Sequence, residues 1–391
     1  MTKPLAGIRV LDLSRVLAGP WAGQMLADMG ADVIKVERKG VGDDTRGWGP
    51  PYLEDAPEAK SRESGYYLSA NRGKRSIEID FNSPEDVETV RTLATRSDIL
   101  LENFKVGTLA RYGLSYEDLR QLNPKLIYCS ITGFGLSGPR SSQVAYDFMI
   151  QAMGGLMSVT GESDERNGGP QKVGVPIVDL MTGMYASNAV LGALVARDRT
   201  GEGDHIDVAM LDVSVAMLAN QAMNYLVSNK SPKRRGNRHP NIQPQDVFAV
   251  RDGHLVLAVG NDEQFRRFAQ AIGHAELADD LRYTKNAARV DNLDTLHPLI
   301  SDALLARDVD EWIAVFGEHG IPCGPINDVA RVFREEQVIH RGMLATITDT
   351  AGRKIPQVLS PMKFANHPLE FDRAPPRLGE HTAEVLSEIK G

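Results

Sequence analysis

Cysteine is scarce: only Cys129 and Cys323 occur in 391 residues. That excludes a disulfide-stapled scaffold, a thiolate metal cage and a CxxC redox pair, and it suits a reducing, cytoplasmic setting. Paired histidines are lacking too, since the two closest, His367 and His381, stand 14 positions apart. No HxxxH or HExxH pair can form on one helix face, so no metal centre is expected. Long apolar runs are absent: no window reaches ~18 uninterrupted apolar residues, and the opening MTKPLAGIRVLDLS has no apolar signal core, so no membrane partner is expected. Positive charge is not in surplus either. With 44 basic and 52 acidic residues the net charge is −8, which gives no global attraction for nucleic acid, and an anionic ligand must meet a local basic patch.

What is present is ordinary for a globular chain. A 42% hydrophobic and 25% charged composition over 391 residues implies two or three compact units. Residues 7–13 and 32–37 are short β-rich runs, and Pro20 to Gly30 between them reads as a helix started by proline and stopped by glycine, which makes a βαβ unit. Further strand-like runs at 76–80, 99–102 and 126–131 alternate with helical stretches at 83–96 and 115–122. The expectation is an α/β fold: a doubly wound, mostly parallel, Rossmann-like large domain over 1–200. Residues 201–245, ending in NKSPKRRGNRHPNIQPQ, read as a connector. A smaller α+β domain over 246–325 opens with two alternating strands around Asp252-Gly253, a hairpin signal, and 326–391 returns to the large domain.

Three features carry candidate chemistry. The first βα turn, Val16 to Gly23, leaves amide donors at a helix N-terminus, where an anion can be held; its GxxxG spacing differs from the dinucleotide GxGxxG and equally suits close helix–sheet packing. Arg38 and Lys39, then Arg72, Lys74 and Arg75, then Asn103, Phe104, Lys105 and Arg111 lie at or near the ends of successive strands, on one edge of a parallel sheet, where a polyphosphorylated ligand can span them. Finally, Val173 to Val178 reads as an apolar strand running into an alanine-rich helix, with Asp179 at the junction. A carboxylate there is either an ordinary N-cap or a nucleophile, and the pattern alone leaves both open.

Taken in order, PLAGIRVLDLSRVLAGPWAGQMLADMGADVIKVER, GDDTRGWGPP, NRGKRSIEID, ENFKVGTLARYGL, YCSITGFG, VPIVDLMTGMYA, GIPCGPIN and RLGEHTAEVL resemble the class III CoA-transferases, the superfamily of formyl-CoA and carnitine-CoA transferases and methylacyl-CoA racemases. The resemblance spans nearly the whole chain. It implies an aspartate nucleophile at Asp179, CoA-binding positions at Val16, Ala18, Arg38, Asn103, Phe104 and Arg111, no tightly bound cofactor, and a ring-shaped subunit interlocked with its twin in a homodimer. Arg72 and Lys74 join the CoA-binding set from the strand-end reading.

Departures from the superfamily pattern narrow the reaction. Leu17 stands where formyl-CoA transferases carry glutamine, and Tyr146 stands where racemases carry an acid/base histidine. A tyrosine near its ordinary pKa of about 10 abstracts protons poorly at neutral pH. The closest resemblance is to the succinate–hydroxymethylglutarate CoA-transferase branch, through GDDTRGWGPP, YCSITGFGLSGP, GNRH and GPIN. It implies transfer of CoA from an acyl-CoA such as succinyl-CoA to a dicarboxylic acid such as glutarate, through an aspartyl anhydride and an aspartyl-CoA thioester. The alternatives are a racemase or a transferase for another acid, such as carnitine, formate or oxalate. The second carboxylate of a dicarboxylate needs a cation; Arg46 is the candidate, and Leu17 and Tyr146 complete the substrate-binding set.

Overall fold

The computed structural model describes residues 3–53 and 63–390. Alternation of short apolar runs with amphipathic stretches produces β1 (Arg9–Asp12), α1 (Ala18–Asp28), β2 (Asp32–Arg38), α2 (Gly65–Ser69), β3 (Arg75–Ile79), α3 (Pro84–Thr95), β4 (Ile99–Glu102), α4 (Tyr116–Leu122) and β5 (Ile127–Thr132). There follow α5 (Asp147–Met153), the single turn α6 (Leu156–Val159), the 24-residue α7 (Ile177–Thr200), β6 (His205–Ala209), α8 (Met210–Met217) and α9 (Ala219–Ser228). Serine caps fix several starts: Ser83 precedes Pro84 on α3, and Ser115 forms a capping box with Asp118 on α4.

The six strands form one wholly parallel sheet in the order β3-β2-β1-β4-β5-β6, in agreement with the expected doubly wound architecture. Strands in such a sheet are covered on both faces, and β4 and β5 are buried at every position. Val10, Ile99, Leu101, Ile127 and Cys129 pack on one face against Ala22 and Leu26 of α1 and Ala186 and Val190 of α7. Leu11, Ile34, Leu100 and Tyr128 pack on the other against Val90 and Leu93 of α3 and Val385. Among the described residues α7 alone has the length and hydropathy of a membrane span; that apolarity is used against α1 and the sheet. At Gly183 an added Cβ would lie 2.7 Å from the Ala18 carbonyl oxygen, so glycine sets how closely α1 and α7 approach.

The chain divides into two compact units: one comprises the chain up to Leu156, Val173–Ala222 and the chain from Glu336, and the other comprises Met157–Lys172 and Met223–Glu335. Two expectations need correction. The stretch 201–245 is not all connector, because β6 pairs with β5 and buries Val208 and Ala209, and Met210 and Val213 of α8 follow them into the core. Residues 173–176 form no strand, and Asp179 lies inside the first turn of α7. In the second unit β7 (Gln245–Val250) and β8 (Gly253–Ala258) form the hairpin around Arg251 and Asp252, and α10 (Asp262–Ala271), α11 (Asn286–Asp291), α12 (Leu293–Leu304) and α13 (Val309–Glu318) follow. β9 (Cys323–Pro325) joins β8 antiparallel, around a core that includes Phe248, Leu257, Trp312 and Phe316. The C-terminal return adds an antiparallel hairpin, Leu344–Thr348 with Lys354–Val358, and a helix, Thr382–Lys390.

Candidate active site

The strand order reverses between β1 and β4, and in an open parallel sheet the crevice beyond the carboxyl ends at that point is where ligands bind. A cleft of about 150 Å³ lies there. Its lining comes from the loop after β1 (Arg15, Val16, Leu17, Ala18), the loop after β4 (Asn103 to Val106), the segment before α5 (Val144, Ala145, Tyr146) and Asp179.

Asp179 sits three residues past Pro176, the residue that precedes α7, and Pro176 provides no side-chain cap. The cap comes instead from Asp147 at the start of α5. One oxygen of its carboxylate accepts from the Val178 amide at 2.8 Å and the Asp179 amide at 3.3 Å; the other accepts from Gln151 Nε2 at 2.6 Å. Capping from a neighbouring helix leaves the Asp179 carboxylate without a hydrogen-bond donor among the described residues, although the residue is only 8% exposed. Burial first, and then the negative charge of Asp147, push its pKa up to about 7. A desolvated carboxylate with no partner is a strong nucleophile once ionised. The capping role at this helix therefore falls to Asp147, and Asp179 does not cap its own helix. It also means that the first α7 amides are occupied by Asp147 and do not point at a reacting oxygen. The α1 N-terminus is the open one: no side chain caps it, and the Leu17 and Ala18 amides have no acceptor among the described residues.

The turn that carries those amides is fixed residue by residue. Asp12 accepts from the Ser14 amide at 3.0 Å. Asn103 grips Arg15 twice, accepting from its amide at 3.0 Å and donating to its carbonyl at 2.7 Å. Tyr66 of α2 is a neighbour that the sequence pattern did not single out. Burial and the charges of Asp179, Asp147 and Asp43 push its phenol up to about 12, so it stays a protonated donor at neutral pH.

The sequence profile of CoA-transferase family III matches residues 5–382. The chain belongs to CoA-transferase family III. This family III chain is 50% identical over 387 residues to the succinate–glutarate CoA-transferase of Agrobacterium fabrum, covering 99% of this chain and 96% of that relative. It is 40% identical over 390 residues to the succinyl-CoA:mesaconate CoA-transferase of Haloarcula hispanica, covering 98% and 96%. A solved CaiB/BaiF family structure from Brucella suis covers 100% of both chains with a TM-score of 0.87 and 48% identity.

Against this family background, the structure brings Val16, Leu17, Ala18, Asn103, Phe104, Tyr146 and Asp179 together around one cleft. Arg38 and Arg111 are exposed and do not line it. Three expected ligand-binding cations are turned into the fold instead. Arg72 is 2% exposed and bonds Asp28 at 2.7 Å, Gln357 and the Val358 carbonyl. Lys74 is fully buried on Asp12 at 2.9 Å, Asn71 and the Pro20 carbonyl. Arg46 is 6% exposed, bidentate on buried Glu37 at 2.8 and 2.7 Å and stacked 3.8 Å over the Tyr67 ring. A buried cation must be paired, and these partners hold all three in the fold, although Arg46 keeps Nη1 without a hydrogen bond, 3.6 Å from Glu63. The glycines of the first turn also serve packing: a Cβ at Gly23 would lie 2.8 Å from Asp12 Oδ2 and 3.2 Å from Lys74 Nζ. Among the described residues no three His, Cys, Asp or Glu side chains converge to hold a metal ion.

Proposed function

We propose that this enzyme moves CoA from succinyl-CoA to a C5-type dicarboxylic acid such as glutarate, with Asp179 as the covalent nucleophile. The observation that carries the reading is the buried, unpartnered Asp179 carboxylate in the same cleft as the uncapped α1 N-terminus. The substrates follow from relatives named for succinate–glutarate and succinyl-CoA:glutarate transfer at 50% and 42% identity over the full chain. Ionised Asp179 attacks the thioester carbonyl, the C–S bond breaks, and an aspartyl–succinyl anhydride and CoA thiolate result. The thiolate attacks the Asp179 carbonyl of the anhydride, releasing succinate and leaving aspartyl-CoA. The acceptor carboxylate attacks that thioester to give a new anhydride and thiolate, and the thiolate then takes the acceptor acyl group, restoring the Asp179 carboxylate. One thioester is broken as another is made, so no external energy source is needed. The Leu17 and Ala18 amides serve as donors to the carbonyl oxygen that gains charge.

Val16, Ala18, Asn103 and Phe104 hold the thioester arm of CoA in this reading, with exposed Arg38 and Arg111 for its phosphates and Leu17 and Tyr146 against the acyl group. The assembly is an interlocked homodimer of ring-shaped subunits. Large apolar side chains left exposed on a single chain, including Phe148, Met184, Tyr185, Leu226 and Val227, support a partner copy. The free thiols Cys129 and Cys323 support a cytoplasmic setting. The test incubates succinyl-CoA with glutarate, hydroxymethylglutarate, mesaconate and carnitine and follows the products by mass spectrometry. Glutaryl-CoA should form, and hydroxylamine should trap a modification at Asp179. Full transfer by Asp179→Ala would reject the mechanism.

A further inference from the structure

The turn after β1 holds a conformation that its own sequence disfavours. Val16 has a φ of 71°, in the left-handed region, where a β-branched side chain crowds the backbone. Such strain persists only where surrounding structure enforces it. Here the restraint comes from the GDDTR segment, for which the reaction itself has no use. The Asp43 carboxylate accepts from the Val16 amide with both oxygens at 3.3 Å, and it also accepts from the Thr45 amide at 3.0 Å and hydroxyl at 2.7 Å. Lys35 of β2 donates to Asp43 at 2.8 Å and to the Ser14 carbonyl at 3.0 Å. Lys35 is 0% and Asp43 4% exposed, so neither charge can turn to water and let go of the turn. Next to them, Asp44 pairs with Arg15 at 3.0 Å.

We propose that Asp43, held by Lys35, is a positioning residue that keeps Val16 left-handed and thereby aims the Leu17 and Ala18 amides at the thioester end of CoA. Successive amides that begin at a left-handed residue line one concave face, the geometry of an anion nest; here the Val16 amide is taken by Asp43, which leaves those of Leu17 and Ala18 open. A relaxed, right-handed Val16 disperses them. Of the residues that fix this turn, Asp43 is the one bonded to the strained residue itself, and the sheet supplies the charge that anchors it. The proposal rests on the reading that CoA docks at this turn.

The test measures CoA binding by titration calorimetry and the KM for succinyl-CoA. Lys35→Met with Asp43→Ala removes both charges at once, so that no orphan ion is left, and takes away the acceptor. CoA affinity should fall about tenfold, with KM rising in step. Adding Val16→Gly, which adopts the left-handed region freely, should restore affinity to within about threefold of the protein with Val16→Gly alone. Lys35→Met with Asp43→Asn keeps an acceptor for the Val16 amide and should lose far less. Val16→Pro leaves the ion pair untouched and forbids the left-handed state, and it should lose at least as much as the Met/Ala pair, which keeps the test decisive if that pair folds poorly. Equal losses with Val16 and with Gly at position 16, or unchanged CoA affinity in Val16→Pro, would overturn the positioning role while leaving the transferase reading intact. A wild-type protein that binds no CoA would overturn both.

Discussion

Replacing Asp179 with asparagine should stabilise the protein while it abolishes transfer, and the stabilisation should depend on pH in a stated direction. In the folded chain Asp179 titrates near 7 against an ordinary 3.8, because it is buried beside Asp147. A group whose folded pKa is raised contributes stability that is fully present below the unfolded value and lost as pH climbs through the folded one. For Asp179 the loss therefore runs from about pH 4 to about pH 7. At about 1.36 kcal/mol per unit, the ionised carboxylate costs up to about 4 kcal/mol at pH 8. The amides that would offset part of this at the α7 N-terminus are occupied by Asp147. Asp179→Asn keeps the shape and removes the titration. For a chain of this size roughly 1–2 °C per kcal/mol applies, so its melting temperature should exceed that of wild type by several degrees at pH 8 and by less than half as much at pH 5. Paired melts across pH 4.5–8.5 measure this difference directly. A gain that does not change with pH, or a less stable variant at pH 8, would refute the claim that the Asp179 carboxylate is held desolvated and unpaired.

The other expectations concern the surroundings of that group. Asp147→Asn removes the negative neighbour but keeps a cap acceptor, so the acid limb of kcat/KM against pH should move below 7 with a stability loss of about 1 kcal/mol; an unmoved limb would mean Asp147 only caps. Arg46→Met strands the buried Glu37 carboxylate and should destabilise by about 3–5 kcal/mol, while the KM ratio of a dicarboxylate to a monocarboxylate acceptor stays constant. A selective rise for the dicarboxylate would return Arg46 to the substrate site.

Local physics wrote much of this protein into its sequence. Gly30 marks the stop of the first helix, although the helix starts at Ala18 rather than at Pro20; serine caps start α3 and α4, the Asp252-Gly253 signal marks the hairpin, and the mostly apolar β4 and β5 fit a sheet covered on both faces. That a turn and a helix start follow β1, and that a helix begins near Asp179, was legible because such signals lie within a few residues; the left-handed Val16 held by Asp43 and the place of Asp179 inside the helix rather than after a strand were not. β6 was harder to see, because a partly exposed edge strand with its first three residues outside the core carries a weak apolar signal. What the chain alone did not disclose is which charges face a ligand. Arg72 meets Asp28 44 residues away and Lys74 meets Asp12 62 away, and the same residue types at the same strand ends would serve a phosphate equally well if those partners were elsewhere. Asp147 reaches the α7 amides across 31 residues, which frees Asp179 from capping itself. Sequence thus set most of the elements, since those follow from short-range propensity and periodicity. Whether a buried charge is paired, and so whether it supports the fold or reacts, was decided only when distant segments met in a medium where an unpaired ion is costly.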